Sequence, residues 1–430
     1  MSPDKADPEL LKRRARAMGP AYRLFYDQPV HLVRGEGVWL FGADGKRYLD
    51  CYNNVASVGH CHPHVVAALS RQAAMLNTHT RYLHENVVAY AERLGATLPG
   101  ELGVCMLVCT GTEANDLAVR IARAATGHHG VIVTEHAYHG NSTTVYALST
   151  EEYPAAERPG WLQAVEAPCT YRGRFREPGP DAARGFAGLL EPAIAQLSKR
   201  GHGTAMFLTD NIYSSNGVLT PHPEYLREAY RLVRAAGGLV VADEVQSGLC
   251  RLGDHYWGFQ DAGVVPDIVT MGKPLGDGHP LAAVVTTPEI AERFARRHGY
   301  FNTFGGNPVS AAVGLAVLDV IEQEGILQNV RETGLLLREG LHALMSRYDS
   351  IGDVRGKGLF FGVEVVGDRS TREPAPAEAA RVREYLRENG VLLGTSGPSN
   401  NVIKIRPPLV FGPEQAGLLL DQLDRALAAA

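Results

Sequence analysis

The sequence predicts an α/β protein whose large domain rests on a mostly parallel central sheet and is followed by a smaller α+β domain. Three observations carry this. From about residue 100 to 300, short apolar runs alternate with amphipathic stretches of helical period, the pattern of strands and crossover helices. Two of the runs, 239–242 (LVVA) and 268–270 (IVT), are of the length and apolar character of buried parallel strands. Past Arg331 the order changes to a helix, short strands (GLFFGVEVV), a charged helix (EAARVREYLREN) and further strands (VLLGTS, NVIKIRPPLVF).

A chain of 430 residues outgrows one ordinary core, so two or three units are expected. The division is an N-terminal segment, 1–60, belonging with the small domain; a large domain, 61–310; and a C-terminal small domain, 311–430. A net charge of −5 and a pI near 6.4 give no reason to expect nucleic acid or an anionic membrane as partner. No apolar run approaches the roughly 20 residues of a membrane span. The N-terminus, MSPDKADPELLKRRARAMG, is charged and has no apolar signal core. Cys51, Cys61, Cys105, Cys109, Cys169 and Cys250 are scattered, which fits reduced thiols better than a disulfide framework. The expected compartment is the cytoplasm.

In chain order, residues 8–18 (PELLKRRARAM) have the pattern of a short amphipathic helix, one that would pack on a partner subunit. The stretch VHLVRGEGVWLFGADGKRYLDCYNNVA alternates around the turns Gly35-Glu36-Gly37 and Asp44-Gly45, as a β-meander does. His60-Cys61-His62-Pro63-His64 matches no zinc spacing and no second ligand pair follows, so no metal is expected there. From Pro63 to Leu98 the pattern is largely helical, with Arg81-Tyr82-Leu83-His84 inside it. At 104–123 come a strand, a Thr-Gly-Thr turn and a helix. Such a turn offers free N–H groups and the positive dipole end to an anion, although Thr110 or Thr112 also suits a plain N-cap. The strand GVIVTEHAYHGNS ends in Tyr138-His139-Gly140. Residues 150–185, rich in Pro, Gly and Arg, are read as a surface excursion. Helix, strand, helix and strands then follow, up to a Gly-Gly turn and the long helix of NTFGGNPVSAAVGLAVLDVIEQEG.

The first of the two buried runs delivers Asp243 at its carboxyl end, and the second is followed by Lys273. In an open α/β sheet these ends line the ligand crevice, so both groups are expected in one cavity. Spacing alone leaves two readings, a buried Asp–Lys ion pair or an amine nucleophile with a carboxylate partner. Joined by the hydroxyl-rich turn and the aromatic at 138, the set suits pyridoxal 5′-phosphate. Its aldehyde takes a lysine, its ring nitrogen a carboxylate, its phosphate a helix N-terminus and its flat ring an aromatic.

Five ordered motifs, TGTEANDLAVRIAR, HAYHGNS, VADEVQSGLCRLG, DIVTMGKPLGDGHPLAAV and NTFGGNPVSAAVGLAVL, resemble the class III aminotransferases of the fold type I pyridoxal-phosphate enzymes. The likeness runs from about Tyr22 to Phe411. It implies Lys273 as the Schiff-base lysine, Asp243 as partner of the ring nitrogen, Gln246 near the ring hydroxyl and Tyr138 stacked on the ring. It also implies that Gly111 and Thr112 hold the phosphate together with Thr303 of the other subunit, so that a homodimer (or a tetramer of such dimers) shares its active sites. More finely, CYNNVASVGHCHP, NTHTRYLHENVVAYAERL and GPSNNVIKIRPPLVF are similar to phospho-lyases of phosphoethanolamine and phosphohydroxylysine and to alanine–glyoxylate aminotransferase 2. Many transaminases of the family carry Arg-x-x-Pro-Pro, whose arginine clamps a carboxylate. Here Lys404 takes that place, with Arg406 two residues on, and the glutamate that latches such an arginine is replaced by Ser215. The resemblance therefore implies a phospho-lyase, with Lys404, Arg23, Arg81, Arg406 and Tyr213 as candidate substrate-binding residues. The alternative is an aminotransferase using alanine, a β-amino acid or an ω-amine with pyruvate or glyoxylate.

Overall fold

Seven strands make the central sheet, in the order Val104–Val108, Ala282–Thr286, Ile268–Met271, Leu239–Asp243, Thr204–Asp210, Gly130–Thr134, Leu162–Val165. The computed structural model describes residues 7–429, so the first six residues of the charged N-terminus lie outside this description. Ala282–Thr286 is antiparallel to both neighbours, and the other pairs are parallel. Every residue of Thr204–Asp210, Ile268–Met271 and Ala282–Thr286 is buried, which is why these strands read as apolar runs and not as alternating ones. Alternate residues feed two cores. Met206, Leu208 and Val241 pack with Leu117 and Ile121 of the helix Gly111–Thr126. Phe207 and Val240 pack on the other side with Phe186 and Tyr225, from helices Pro180–Gly188 and Glu224–Ala235. Parallel register sets Asp210 beside Asp243, and Asp243 beside Thr270, at the carboxyl ends of their strands.

Two smaller sheets complete the molecule. The expected meander forms as Leu32–Glu36, Trp39–Gly42 and Arg47–Asp50, and the late strand Val391–Leu392 joins it in parallel. An antiparallel sheet runs Ile351–Lys357, Phe360–Asp368, Val402–Ile405, Gly394–Ser396, and it carries Lys404 opposite Gly362 and Gly394. The helix Pro8–Met18 is present and has no buried residue. Among the described residues, no helix is long and apolar enough to cross a membrane.

Two sequence expectations need correction, and one element was missed. Arg81-Tyr82-Leu83-His84 lies outside any helix, in a loop between Pro63–Met75 and Glu85–Ala96. The first helix stops at Leu76, which is extended, and His84 caps the second by accepting from the Asn86 N–H at 3.2 Å. The 150–185 stretch contains Leu162–Val165, the edge strand of the central sheet, whose short run was hidden among flanking Pro and Gly. The closing helix Pro413–Ala429 went unread. The histidines of the 60–64 cluster each take a separate carboxylate: His60 with Asp50 at 2.6 Å, His62 with Glu324 at 3.1 Å and His64 with Asp319 at 3.0 Å.

Candidate active site

The carboxyl ends of the central strands open into a cavity of about 330 Å³. Lys273, Asp243, Tyr138, Gly111, Thr112 and Gln246 all line it, so six of the residues expected at the site converge on one space. Asp210, Asn115 and His139 join them.

Asp243 closes the strand Leu239–Asp243, and it is not the ion-pair partner of Lys273. Its Oδ2 lies 2.7 Å from His139 Nδ1 and accepts from Asn115 Nδ2 at 2.9 Å, while Oδ1 accepts from the Val245 N–H at 3.1 Å. Asn115 is itself fixed, because its Nδ2 also donates to the His139 carbonyl and its Oδ1 accepts from Thr270 Oγ1 at 2.7 Å. A carboxylate so held has its charge and direction set before any ligand arrives. Sequence reasoning missed Asn115 and Thr270. The available signal was a polar side chain in the buried stripe of Gly111–Thr126, between Ala114 and Leu117.

Lys273 follows the strand Ile268–Met271 and sits at φ +26°, a left-handed conformation that a side chain adopts only under constraint. Burial and the nearby Arg406 pull its ammonium down to about 8, against the opposing pull of Asp243 and Asp210. Among the described residues no carboxylate pairs with it. A buried ammonium without a partner costs several kcal/mol, and that cost disappears when the amine is neutral or covalently engaged. This favours a nucleophile over a structural ion pair.

The anion cradle is the start of the helix Gly111–Thr126. Thr110 is its N-cap and accepts from the Glu113 N–H at 3.1 Å, so capping and site roles coexist at this turn. The first helical N–H groups, those of Gly111 and Thr112, have no intrahelical acceptor and border the cavity. Backbones approach closely here. A Cβ at Gly111 would stand 3.0 Å from a Val245 methyl, and one at Gly272 would stand 3.2 Å from the Gly111 nitrogen. Gly140, at φ +140°, has room for nothing larger, since its Cβ would meet Thr112 Oγ1 at 2.6 Å. Tyr138 remains 38% exposed at the rim, and burial with Glu152 nearby keeps its hydroxyl protonated. Together the groups fit pyridoxal 5′-phosphate. Lys273 would take its aldehyde, Asp243 its ring nitrogen, and Gly111 and Thr112 its phosphate.

The other expected residues lie elsewhere. Lys404 is not among the residues that line the cavity, and its Nζ donates to the Ser214 carbonyl at 3.3 Å. Burial, Arg406 and Lys273 bring its ammonium down to about 7. Arg406 is buried and donates to Gln246 Oε1 at 2.7 Å and to the Tyr52 carbonyl at 3.1 Å. Tyr213 is not a pocket residue. Its φ of +49° turns the ring into the helix-side core beside Tyr225, and its hydroxyl accepts from Thr209 Oγ1 at 3.1 Å. Arg23 is exposed, Arg81 is exposed over the Phe301 ring at 4.0 Å, and Thr303 is exposed on the loop that follows. None of these three borders the cavity within one chain. That loop is tied to the cradle, because Asn302 Nδ2 donates to Glu113 Oε2 at 3.0 Å.

A family model described as aminotransferase class-III matches residues 24–427. An alanine–glyoxylate aminotransferase 2-like protein of Drosophila melanogaster is 44% identical over 417 residues, covering 95% of this chain and 84% of the relative. An ethanolamine-phosphate phospho-lyase homolog of Caenorhabditis elegans is 37% identical over 439 residues, covering 98% of this chain and 94% of the relative. A solved structure described as an Arthrobacter phospholyase in complex with phosphoethanolamine matches with a TM-score of 0.95 and 45% identity, over 98% of this chain and all of that one.

Proposed function

The chain belongs to the class III aminotransferase family of pyridoxal 5′-phosphate-dependent enzymes, and within it we propose a phospho-lyase that eliminates phosphate and ammonia from phosphoethanolamine or a related phosphorylated amine, leaving an aldehyde. The observation that carries the proposal is Lys404. Its buried ammonium meets a carbonyl and no carboxylate among the described residues, beside a second buried cation, Arg406, and within electrostatic reach of Lys273. Lys404, Arg406 and Lys273 lie within electrostatic reach of one another, Glu151 and Asp210 offset Lys404 only in part, and Asp210 is already engaged by the Ser214 hydroxyl and amide. A lysine without a carboxylate partner suits an anionic ligand, and an ammonium serves phosphate as a point charge where the fork for a carboxylate is missing. The bound phosphoethanolamine of the Arthrobacter neighbour supports the same substrate class. A second reading, transamination from alanine, a β-amino acid or an ω-amine to pyruvate or glyoxylate, has the Drosophila relative in its favour.

When bound, the cofactor supplies an electron sink for charge left on the carbon beside the amine. Lys273 takes the proton from that carbon, and Asp243 holds a proton on the ring nitrogen. The phosphate leaves with the electron pair of its C–O bond, Lys404 meets its charge by turning its Nζ from the Ser214 carbonyl toward the cavity, and water then releases ammonia and the aldehyde. Thr303, Arg23 and Arg81 fit this reading as groups of a neighbouring copy. Leu83, Met75 and Phe304 are exposed at 98%, 78% and 71%, large apolar side chains of the kind that two subunits cover. We propose a homodimer with shared sites. The six free cysteines suit a reducing compartment, and we propose the cytoplasm.

Lys404→Met is expected to lower kcat/KM for phosphoethanolamine about 10- to 100-fold through KM, the cost of one charge-assisted contact. The pH profile gives the sign. The substrate phosphate becomes a dianion above about 6, whereas Lys404 of the free site loses its proton above about 7. kcat/KM should therefore peak between these values and fall on the alkaline side. Lys404→Arg keeps its charge and should flatten that fall. An unchanged KM in Lys404→Met would place the phosphate site elsewhere.

A further inference from the structure

Gln246 borders the cavity, yet its carboxamide oxygen is already engaged on the protein side. Oε1 accepts from Asn54 Nδ2 and from Arg406 Nη1, both at 2.7 Å. A carboxamide has an acceptor end and a donor end, and a guanidinium only donates. Arg406 therefore decides which end of Gln246 faces it. The NH2 end has no protein hydrogen bond among the described residues and is left for the cavity.

Arg406 is well fixed for that task. Its backbone N–H donates to the Cys51 carbonyl at 2.7 Å, Nε donates to the Tyr52 carbonyl at 3.1 Å, and the guanidinium lies 4.9 Å from the centre of the Tyr52 ring. The side chain is 5% exposed and does not border the cavity. Asn54 alone offers no such discrimination, because its own amide can turn to match either end of Gln246.

We propose that Arg406 is a positioning residue that locks the Gln246 carboxamide with its NH2 toward the cofactor cavity, and that it is not a second clamp for the substrate. The inference concerns the cofactor site and holds whichever amine is the substrate. Charge makes the lock stronger than a neutral amide pair would be, and burial keeps water from substituting for it.

The test titrates apoenzyme with pyridoxal 5′-phosphate in the absence of any amine, following the cofactor's absorbance. Arg406→Met and Gln246→Ala are each expected to weaken cofactor binding about 3- to 10-fold, part of the worth of one buried hydrogen bond. They should also shift the pH midpoint of the bound cofactor's absorbance in the same direction. The double variant should lose no more than about twofold beyond either single one, because both remove the same contact. Arg406→Lys, which keeps a charged donor, should restore most of the affinity, and melting of the apoenzymes checks folding. If Arg406→Met does not fold, the cycle runs with Arg406→Lys and Arg406→Gln, where only the glutamine variant should shift the absorbance midpoint. Multiplicative losses in the double variant would overturn the proposal. So would an Arg406→Met enzyme with unchanged cofactor binding and a KM for phosphoethanolamine raised about tenfold, the signature of a substrate clamp.

Discussion

Lys273→Ala is expected to lower kcat about 10⁴-fold, the upper end of what a positioned proton-transfer group contributes. Two properties of the residue make the loss so large. Its amine is depressed to about 8 by burial and by Arg406, so near neutrality it gives up and takes a proton readily. It is also held at φ +26° on a turn bound to the 54–58 segment, where Ser57 Oγ donates to the Pro274 carbonyl at 2.6 Å and Asp277 accepts from the Val58 N–H at 3.0 Å. Alanine keeps the turn and removes the base. Cofactor attachment should change as well, with the group lost on denaturing gel filtration from the variant and retained, after reductive trapping, by the parent. A variant within tenfold of the parent would remove Lys273 from the chemistry.

Asp243→Asn is the second large effect, about 10²- to 10³-fold in kcat, the range seen when a preorganised charge is removed from a developing one. Asparagine is nearly the same size and its oxygen still accepts, so the fold and the hydrogen bond from Asn115 can survive. The negative charge proposed to stand beside the cofactor's ring nitrogen does not. His139, whose Nδ1 meets this carboxylate at 2.7 Å, loses its charged acceptor too. Steady-state kinetics with a cofactor titration separates the two roles. Binding should change much less than kcat, because Gly111 and Thr112 are untouched. A loss below tenfold would mean that Asp243 only supports the wall.

How much of this was legible in the sequence follows from what each feature depends on. Asp243 and Lys273 were legible because strands buried on both faces leave unbroken apolar runs, and their ends fix the residues at the crevice. The turn that holds Gly111 and Thr112 was legible for a similar reason, standing between an apolar strand and an amphipathic helix, while their phosphate role came from the resemblance. Arg81 was misplaced in a helix, because the break after Met75 is set by hydrogen-bonding side chains such as Gln72 and His84 that leave no gap in the apolar period. Tyr213 was a candidate substrate-binding residue through the resemblance alone, in a segment that departs from the family's usual one. The left-handed turn around the Asp210 carboxylate, which accepts from the Ile212 and Ser214 amides, sends it to the opposite face. No one-dimensional pattern contains that reversal. The same holds for Arg406, whose place two residues past Lys404 suggested a substrate clamp, while its guanidinium reaches Gln246, 160 residues away in the chain.

The account turns on what becomes of the carbon charge that Lys273 is proposed to create. Holoenzyme given phosphoethanolamine and no keto acid is predicted to release phosphate and ammonia in equal amounts over many turnovers, with the aldehyde formed alongside. No phosphate release, together with steady conversion of alanine and glyoxylate to pyruvate and glycine, would contradict it.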